Sequence, residues 1–558
     1  MDRRASLKSI SNLFTKKSFK NRSKAFQPPI TSSGLEPYTG PWSTEEIGHL
    51  LRRTTYGPQI DQFALSQTAG MDASVDFLLQ DLPLPSPPLN HYEENDPLVP
   101  VGQTWVDAPY DENVNLRPYR KRSFSAWTLL QYMKEGASIR EKMTLFWHNH
   151  YVVAGINDPK LLYKYMDTLR TNALGNFREL TKYITVDPSM LRYLNGNSNT
   201  KNAPNENYAR ELLELFTIGK GPQVGPGDYT NYTEDDIMEI ARVLTGWRDT
   251  GQFSTNPDIP VGSYYVPNRH DTGVKQLSYR FDNIQIENQE EEEYKALIDI
   301  IFTKEEVARF ICRKLYRYFV NFFISDAVEA QVILPLATIM IDNDYEVKPV
   351  LSALLKSAHF YDAQNRGVVI KNPLDFMMTT LKSSKVSIPQ DDLYQEYNMA
   401  RNVLAKMDNM QMSLFSHPSV AGWPAYYQEP SYYRIWINSV TLPYRMEFTD
   451  QISSTGYTNS GATLLVDAIA LIEDLPNPYE VNDLIEDLAL LYFPNGITEI
   501  QRDYLKNILI PGLPDYEWNI EYTEYLSNPS DTNLYMSIQA KLRAMLKAMM
   551  NLSEYYLQ

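Results

Sequence analysis

The stretch PNENYARELLELFT, residues 204–217, shows how this chain combines a helical pattern with clustered polar residues. Proline suits the first turn of a helix, and Asn205 or Asn202 could cap it. Leu212, Leu213 and Phe216 follow at helical spacing, so they form one apolar stripe. The stretch therefore predicts a helix that carries polar residues at its start and lies against a core.

Helical periodicity extends over most of the chain on both sides of this stretch. It is nearly continuous over residues 119–247, and it returns over residues 303–385 and from residue 461 onward. Two patterns typical of capping boxes, which begin at Ser43 and Thr303, mark the starts of helices. The sequence thus favours a protein built from many helices.

Two irregular regions interrupt the helical pattern. Residues 83–118 contain eight prolines, which excludes a regular element of that length. Residues 248–293 are rich in turn residues and include short alternating pieces that suit a β-hairpin. We therefore predict a mainly α fold, a multi-helical globular protein with two long irregular insertions and at most a small β-hairpin.

These patterns divide the chain into four segments. We predict a basic, disordered tail, an N-terminal helical unit that carries the histidine and NENYARE motifs, an irregular or β insertion, and a C-terminal helical unit. Their bounds are residues 1–41, 42–250, 251–292 and 293–558.

Composition narrows the class of protein. The chain has 558 residues, of which 43% are hydrophobic and 22% charged, as in ordinary globular proteins. No run of about 18 apolar residues is present, so we expect no transmembrane segment. The single cysteine, Cys312, excludes an intramolecular disulfide, and its apolar neighbours predict a buried core thiol.

Charge is distributed unevenly along the chain. The net charge is −17, although residues 1–26 carry eight basic side chains and one acid. The body is therefore acidic, which argues against binding of nucleic acid, because phosphate neutralisation needs a basic face.

The basic tail raises a question of location. Residues 2–8 resemble a twin-arginine export signal, but basic residues interrupt the apolar stretch that should follow. We predict a cytoplasmic protein. The alternatives are export to the periplasm through a degenerate signal and an amphipathic basic helix at a surface.

Two histidines, His148 and His150, are separated by one residue. In an extended segment both imidazoles would point to one side and could share a metal ion. On a helix they would point about 200° apart and could not. Because residues 140–146 predict a helix, we expect the pair at or just beyond its end, with capping or core histidines as the alternative.

Acidic residues follow on the helix of residues 204–217. Glu211 and Glu214 stand three residues apart, a spacing from which helical metal sites are often built. Glu206 and Arg210 stand four apart, which also suits an ordinary ion pair on the helix surface. We expect this helix to pack against residues 140–147 so that its polar start emerges beside the two histidines.

A third cluster lies in the turn-rich region. His270, Asp271 and Lys275 could supply a metal ligand, a carboxylate that orients it and an anion-binding lysine, although Asp-Thr-Gly is also a plain turn. The acids of residues 290–293 predict the solvated first turn of the next helix.

Taken in chain order, several blocks resemble a known bacterial family, the "domain of unknown function 1800". The resemblance covers nearly everything from Trp42 to the C-terminus, apart from residues 407–412, where the family tends to have a Met-Gly-Gln turn. The blocks are Gly48–Pro58, Arg140–His150, Pro204–Gly219, Ala241–Trp247, His270–Lys275, Ala308–Phe310 with Lys314–Tyr316, Lys371–Pro373 and Pro418–Pro424.

The resemblance implies little settled biochemistry. Members often bear an export signal and are often encoded beside a sulfatase-like family, so it implies a sulfatase-like partner protein. The polar motif residues that match are His49, His148, His150, Asn205, Glu206, Asn207, Arg210, Glu211, His270, Asp271 and Lys275.

Two hypotheses follow for function, and the sequence leaves the reaction open. The first is a hydrolase-like enzyme that uses a divalent metal to activate water or polarise a substrate oxygen. Its metal ligands would be His148, His150, His270 and Glu214, its catalytic residues Glu206, Glu211, Asp271 and Lys275, and its substrate-binding residues Arg210, Asn205 and Asn207.

The second hypothesis is a non-catalytic helical scaffold or binding module that works with a partner protein. Its candidate surface is an aromatic platform, because tyrosine and tryptophan are enriched at protein interfaces. The platform residues are Tyr426, Tyr427, Tyr432, Tyr433, Trp423 and Trp436.

Overall fold

The protein is described by a computed structural model that covers residues 33–92 and 95–558. The twin-arginine-like segment at residues 2–8 and most of the predicted basic tail lie outside the described residues. In the part that is described, no helix has the length and apolar character needed to cross a bilayer.

The fold is mainly helical, as predicted. The helices of the first half are α1 Thr44–Thr54, α2 Ile60–Ala69, α3 Met71–Leu78, α4 Arg117–Lys134, α5 Arg140–His150, α6 Pro159–Thr171, α7 Phe177–Thr185, α8 Pro188–Tyr193, α9 Glu206–Glu211 and α10 Glu234–Val243. Those of the second half are α11 Glu293–Ile301, α12 Glu305–Phe319, α13 Asp326–Val328, α14 Leu334–Asp342, α15 Val347–Leu355, α16 Pro373–Lys382, α17 Leu393–Asn409, α18 Thr441–Asp450, α19 Ala468–Ile472, α20 Val481–Tyr492, α21 Glu499–Leu509, α22 Tyr516–Ser527 and α23 Thr532–Met550.

Three helices continue into π-helical segments. These follow α9, α13 and α18 and span Leu212–Thr217, Glu329–Ile333 and Gln451–Thr455. The first of them carries the apolar stripe of the NENYARE helix, and Leu212, Leu213 and Phe216 are fully buried as predicted. Short π segments inside helices are frequent at functional sites, and they turn side chains relative to a regular helix.

The strands of the described residues form four two-stranded antiparallel sheets. Two of them lie in the region that the sequence marks as irregular. Another lies at residues 223–229, inside the stretch where the sequence predicts nearly continuous helix, and the fourth lies near the C-terminal helices. The pairs are β1 Gln223–Gly225 with β2 Asp228–Tyr229, β3 Trp247–Thr250 with β4 Gly262–Tyr265, β5 Lys275–Gln276 with β6 Gln285–Ile286, and β7 Tyr457–Asn459 with β8 Ala462–Leu464.

One capping prediction is correct and another is wrong. Ser43 and Glu46 form the expected capping box at the start of α1. At α12 the N-cap is Lys304, and no side chain caps the helix. The hydroxyl of Thr303 instead donates to the carbonyl oxygen of Ile300 at 2.7 Å, so it completes the end of the preceding helix.

The buried side chains form one continuous apolar cluster, from Leu50 in α1 to Tyr556 near the C-terminus. It includes residues of both predicted helical units, and Cys312 lies inside it as predicted. The division of the chain at residues 250 and 292 stays a prediction.

The proline-rich region between α3 and α4 lies against α4 and α17, which pack along each other. Trp127 donates from Nε1 to the carbonyl oxygen of Ser86 at 2.7 Å, and the backbone N–H of Leu89 donates to the hydroxyl of Tyr397 at 3.1 Å. These bonds hold an irregular segment as a fixed strap over two helices, and a groove remains beneath it.

Candidate functional site

His148 is a satisfied core histidine. The hydroxyl of Tyr165 donates its proton to the carbonyl oxygen of Tyr151. The Tyr165 oxygen therefore accepts from His148 Nδ1, at 3.0 Å. Its Nε2 accepts from the backbone N–H of Phe415 at 3.3 Å. Burial lowers the pKa of His148 to about 3, so the ring is neutral and both nitrogens are in use.

Both ring nitrogens of His150 also have hydrogen-bond partners. It donates from Nε2 to the carbonyl oxygen of Phe216 at 3.0 Å, and its Nδ1 accepts from the Lys314 ammonium at 3.0 Å. Burial, and then the charge of Lys314, hold the pKa of His150 well below its usual range. Burial also lowers the pKa of Lys314 to about 7.

The two histidines lie in the last turn of a helix, so they do not share a side of the chain. Helix α5 ends at His150, and the pair lies at the helix end as predicted. Residues two apart on a helix point in nearly opposite directions, and here they bond to partners on different elements. Throughout residues 33–92 and 95–558, moreover, no three His, Cys, Asp or Glu side chains are grouped so that they could hold a metal ion. The proposed metal ligands therefore do not fit one metal.

The polar start of the NENYARE helix lies at the surface and faces α10. Asn205, one of the two caps that the sequence allows, caps α9 by accepting from the N–H of Asn207 at 2.9 Å. Arg210 makes a bidentate ion pair with Glu234 at 2.8 and 3.0 Å, and it also contacts Glu206 at 3.3 Å. The ordinary ion pairing that the sequence allowed is thus present, and neither histidine is a partner.

The two carboxylates predicted as a pair have different environments. Glu214 accepts from Lys220 at 3.2 Å and from the hydroxyl of Tyr232. Glu211 is half-buried and makes no hydrogen bond or ion pair with any residue that the structure describes. Burial, and then the charge of Glu214, raise the pKa of Glu211.

The contact expected between this helix and α5 occurs only at the end of α5. Phe216 packs against the rings of His150 and Tyr151, with centroids 6.1 and 5.3 Å apart. The apolar stripe therefore meets the last turn of α5, and the polar residues of α9 point elsewhere.

His270 belongs to a second, separate cluster. Its Nε2 lies 3.0 Å from a carboxylate oxygen of Glu293, and its Nδ1 lies 2.9 Å from the carbonyl oxygen of Thr245. Lys275 pairs with the other oxygen of Glu293 at 2.5 Å, and the side chains of His270, Lys275 and Glu293 are fully buried. Glu293 was predicted to be solvated, and its burial corrects that expectation because the hairpin β5–β6 folds over it.

Asp271 stands beside this cluster and pairs with Arg242 at 2.9 and 3.2 Å. The hydrogen bond from Arg242 lowers the pKa of Asp271. Asp271 also accepts from the N–H of Gly273 at 2.9 Å, which is the plain turn that the sequence allowed. His49, the remaining motif histidine, bonds to the carbonyl oxygen of Phe360 at 2.9 Å and is buried. These residues tie the insertion and α1 to the body of the protein.

The residues of the proposed aromatic platform do not form an exposed surface. Of its six members only Tyr427 is substantially exposed, at 41%, and Trp423, Trp436, Tyr432 and Tyr433 are buried. Core packing explains these aromatic residues.

A groove of about 490 Å³ lies between the strap of residues 82–89, the end of α4 and the start of α17. Its size suits a small-molecule ligand. Its charged lining residues are Lys134, Glu135, Arg140 and Glu396. The backbone at Gly136 opens into it, because an added Cβ there would meet no atom within 4 Å.

Glu135 is the titratable group of this groove whose chemistry is most altered. Its Oε2 accepts from the N–H of Glu141 at 2.9 Å, and its Oε1 has no hydrogen-bond partner among the described residues. Arg140 is a distant partner, with Nε 3.7 Å from Oε1. Burial, and then the charge of Glu141, raise the pKa of Glu135 to about 8, so the carboxyl holds its proton at neutral pH.

A second carboxylate, Glu396, lines the same groove from α17 and pairs with Lys134 at 2.8 Å. Two carboxyl groups in one groove, one of which holds its proton at neutral pH, suit general acid–base chemistry. Sequence reasoning missed Glu135, because Glu-Gly at a helix end looks like an ordinary helix stop. Its unusual state depends on Glu141 and on the strap.

Comparison with known proteins gives one match. A family model with the description "Protein of unknown function (DUF1800)" matches residues 49–557, nearly the whole chain. No curated protein and no solved structure matches the chain.

Proposed function

Since the chain belongs to the family described as proteins of unknown function (DUF1800), whose description assigns no reaction, its function has to be argued from its own groove, and we propose that it is a hydrolase-like enzyme. The reaction is general acid–base hydrolysis in the groove under the strap of residues 82–89. The observation that carries the proposal is the buried Glu135 carboxyl with its free Oε1.

The chemistry assigns one role to each carboxyl. Glu135 gives its proton to the leaving group of the substrate as the bond to that group breaks. Water forms the new bond, and Glu396 takes the proton that the water loses. Enzymes commonly raise the pKa of a glutamate by burial for this purpose.

This proposal uses no metal. The three histidines that the sequence suggests as ligands contact Tyr165, Phe216, Thr245 and Glu293, and His148 and His150 point to different sides of α5. A metal-dependent mechanism at His148 and His150 has no support in this donor geometry.

The test is a hydrolysis screen with chromogenic glycosides, esters and phosphate esters on four proteins: the wild type, Glu135→Gln, Gly136→Trp and Glu206→Gln. We expect kcat/KM to fall about 10²- to 10⁴-fold in Glu135→Gln, the range for loss of a general acid. Gly136→Trp should block the groove without disturbing the fold, and the exposed Glu206 is the matched control. Activity that survives in Glu135→Gln and disappears in Glu206→Gln would refute the proposal.

Binding of a partner protein is a second candidate function. Two apolar pairs at helical spacing are exposed on neighbouring parts of the C-terminal region: Ile500 and Tyr504 on α21, at 83% and 52%, and Tyr516 and Ile520 on α22, at 62% and 54%. The sulfatase-like protein implied by the resemblance is the proposed partner. Co-purification with it should be lost in Ile500→Asp and kept in Glu135→Gln.

Location is a separate proposal. We propose that the protein stays in the cytoplasm, since the segment that resembles an export signal lacks an apolar core. A reporter fused to residues 1–40 tests this, and robust export would support the periplasmic alternative.

A further inference from the structure

A second cavity, of about 10 Å³, lies deep in the protein and away from the groove residues. A volume of that size holds about one water-sized occupant. The cavity joins distant parts of the chain: Arg53 from α1, Lys142 from α5, Asp375 from α16, and Tyr433 and Trp436 from the turn before α18.

Three of the blocks that carry the family resemblance meet at this cavity. The block Gly48–Pro58 supplies Arg53, the block Arg140–His150 supplies Lys142, and the block Lys371–Pro373 supplies Asn372. The histidine and NENYARE motifs contribute no residue to its lining.

Positive charge exceeds negative charge among the lining side chains. Lys142 forms a buried ion pair with Asp375, and Asn372 donates to the same carboxylate at 2.8 Å. Arg53 is left with no hydrogen-bonded carboxylate. Its Nη2 donates to the carbonyl oxygens of Val320 and Asn365, at 3.0 and 2.9 Å.

The donors around this excess charge lack acceptors. Arg53 Nε and Nη1, Tyr433 Oη and Trp436 Nε1 are all buried, and none has a hydrogen-bond partner in the described part of the chain. Arg53 is only 2% exposed, and burial lowers the pKa of its guanidinium to about 10. Buried donors without partners are costly, and a buried cation without an anion more so.

The surroundings add further positive charge. Arg445 is buried, with Nε and Nη1 also unpartnered, and its Nη2 donates to the carbonyl oxygen of Lys371 at 3.0 Å. A neutral water molecule would satisfy donors but would not balance this charge.

We propose that the cavity is a binding site for a small monovalent inorganic anion, with chloride as the species that fits. A halide is little larger than a water molecule and accepts from several donors at once. Arg53, Tyr433 and Trp436 would donate to it, and the bound ion would tie α1 to the segment before α18.

The test compares melting temperatures in sodium chloride and in sodium gluconate at constant ionic strength. We expect the wild-type melting temperature to rise with the logarithm of the chloride concentration, because a ligand that binds only the folded state stabilises it. Arg53→Met should lose this rise, while Arg502→Met, which changes an exposed arginine paired with Glu486, should keep it.

Two conservative variants cover the case in which Arg53→Met does not fold. Tyr433→Phe and Trp436→Phe each remove one donor, and each should weaken chloride binding about tenfold or more, the loss expected for a hydrogen bond to a charged group. Bromide should give an anomalous scattering peak at the cavity in crystals of the wild type.

Three results would overturn the proposal. One is an equal melting temperature in chloride and gluconate at every concentration. Another is unchanged chloride sensitivity in both donor variants, and the third is bromide scattering only elsewhere. None of these variants touches the groove, so the outcome is independent of the proposed enzymatic function.

Discussion

The Nε2 atom of His150 donates a hydrogen bond to the carbonyl oxygen of Phe216 at 3.0 Å, which joins the last turn of α5 to the π-helical segment after α9. A histidine that was proposed as a metal ligand therefore links two parts of the fold through a hydrogen bond.

His150→Leu should destabilise the protein in a way that does not depend on metal. The change leaves the Phe216 carbonyl without its partner, at a cost of about 1–3 kcal/mol for a buried group, and it removes one of the two bonds that Lys314 makes. Thermal melts with and without chelator measure this. A chelator that lowers the melting temperature of the wild type but not of the variant would show that His150 binds a metal after all.

The ion pair between Glu141 and Arg170 should be costly to break. They form a bidentate contact at 2.5 and 3.0 Å, and neither side chain is exposed. Glu141→Gln should cost about 3–5 kcal/mol, because it leaves a buried guanidinium unpaired. Urea denaturation checks this against Glu486→Gln, which breaks an exposed pair and should cost less than about 1 kcal/mol. Equal losses would contradict the expectation.

Glu211→Gln should stabilise the protein slightly at neutral pH, whereas the two preceding variants should destabilise it. Burial raises the pKa of Glu211 in the folded state, so ionisation of this group favours the unfolded chain as the pH rises. The variant should therefore be more stable than the wild type at pH 7, by less than about 1 kcal/mol after solvent screening, and equal to it near pH 3. Glu214→Gln, which loses Lys220 and Tyr232 as partners, should be destabilised at pH 7. Urea midpoints at both pH values decide between these signs.

The stability of Lys314→Met relative to the wild type should increase as the pH falls. The folded-state pKa of Lys314 is lowered from 10.5 to about 7, so its contribution to stability is present above pH 10.5 and is lost as the pH falls towards 7. The variant carries a constant penalty for the lost bonds to His150 and Leu215. The difference between the two proteins should thus favour the variant more at pH 7 than at pH 10. A difference that does not change with pH would mean that Lys314 stays charged throughout.

The sequence predicts local features of this protein well. The cap at Asn205, the buried stripe of Leu212, Leu213 and Phe216, and the capping box at Ser43 all depend on residues within a few positions of one another. Propensity and periodicity carry that information.

The sequence predicts the chemistry of the polar motifs poorly, because their partners are distant. His148 bonds to Phe415, which lies 267 residues away, and His150 bonds to Phe216, which lies 66 residues away. Glu293 looks like one of four solvated acids, and only the hairpin that covers it makes it a buried partner of His270. In such cases no local sequence pattern distinguishes a metal-binding side chain from one that makes a structural hydrogen bond.

A measurement of the pKa of the Glu135 carboxyl tests the central claim most directly. Carbon NMR of the protein with ¹³C-labelled glutamate carboxyls, assigned by the signal missing in Glu135→Gln, follows the titration of this group. The account predicts a midpoint near pH 8, so that the carboxyl holds its proton at neutral pH, ready to act as an acid in the groove. A midpoint near the ordinary glutamate value of 4.5 would contradict it, since Glu135 would then be an ionised side chain with no proton to give.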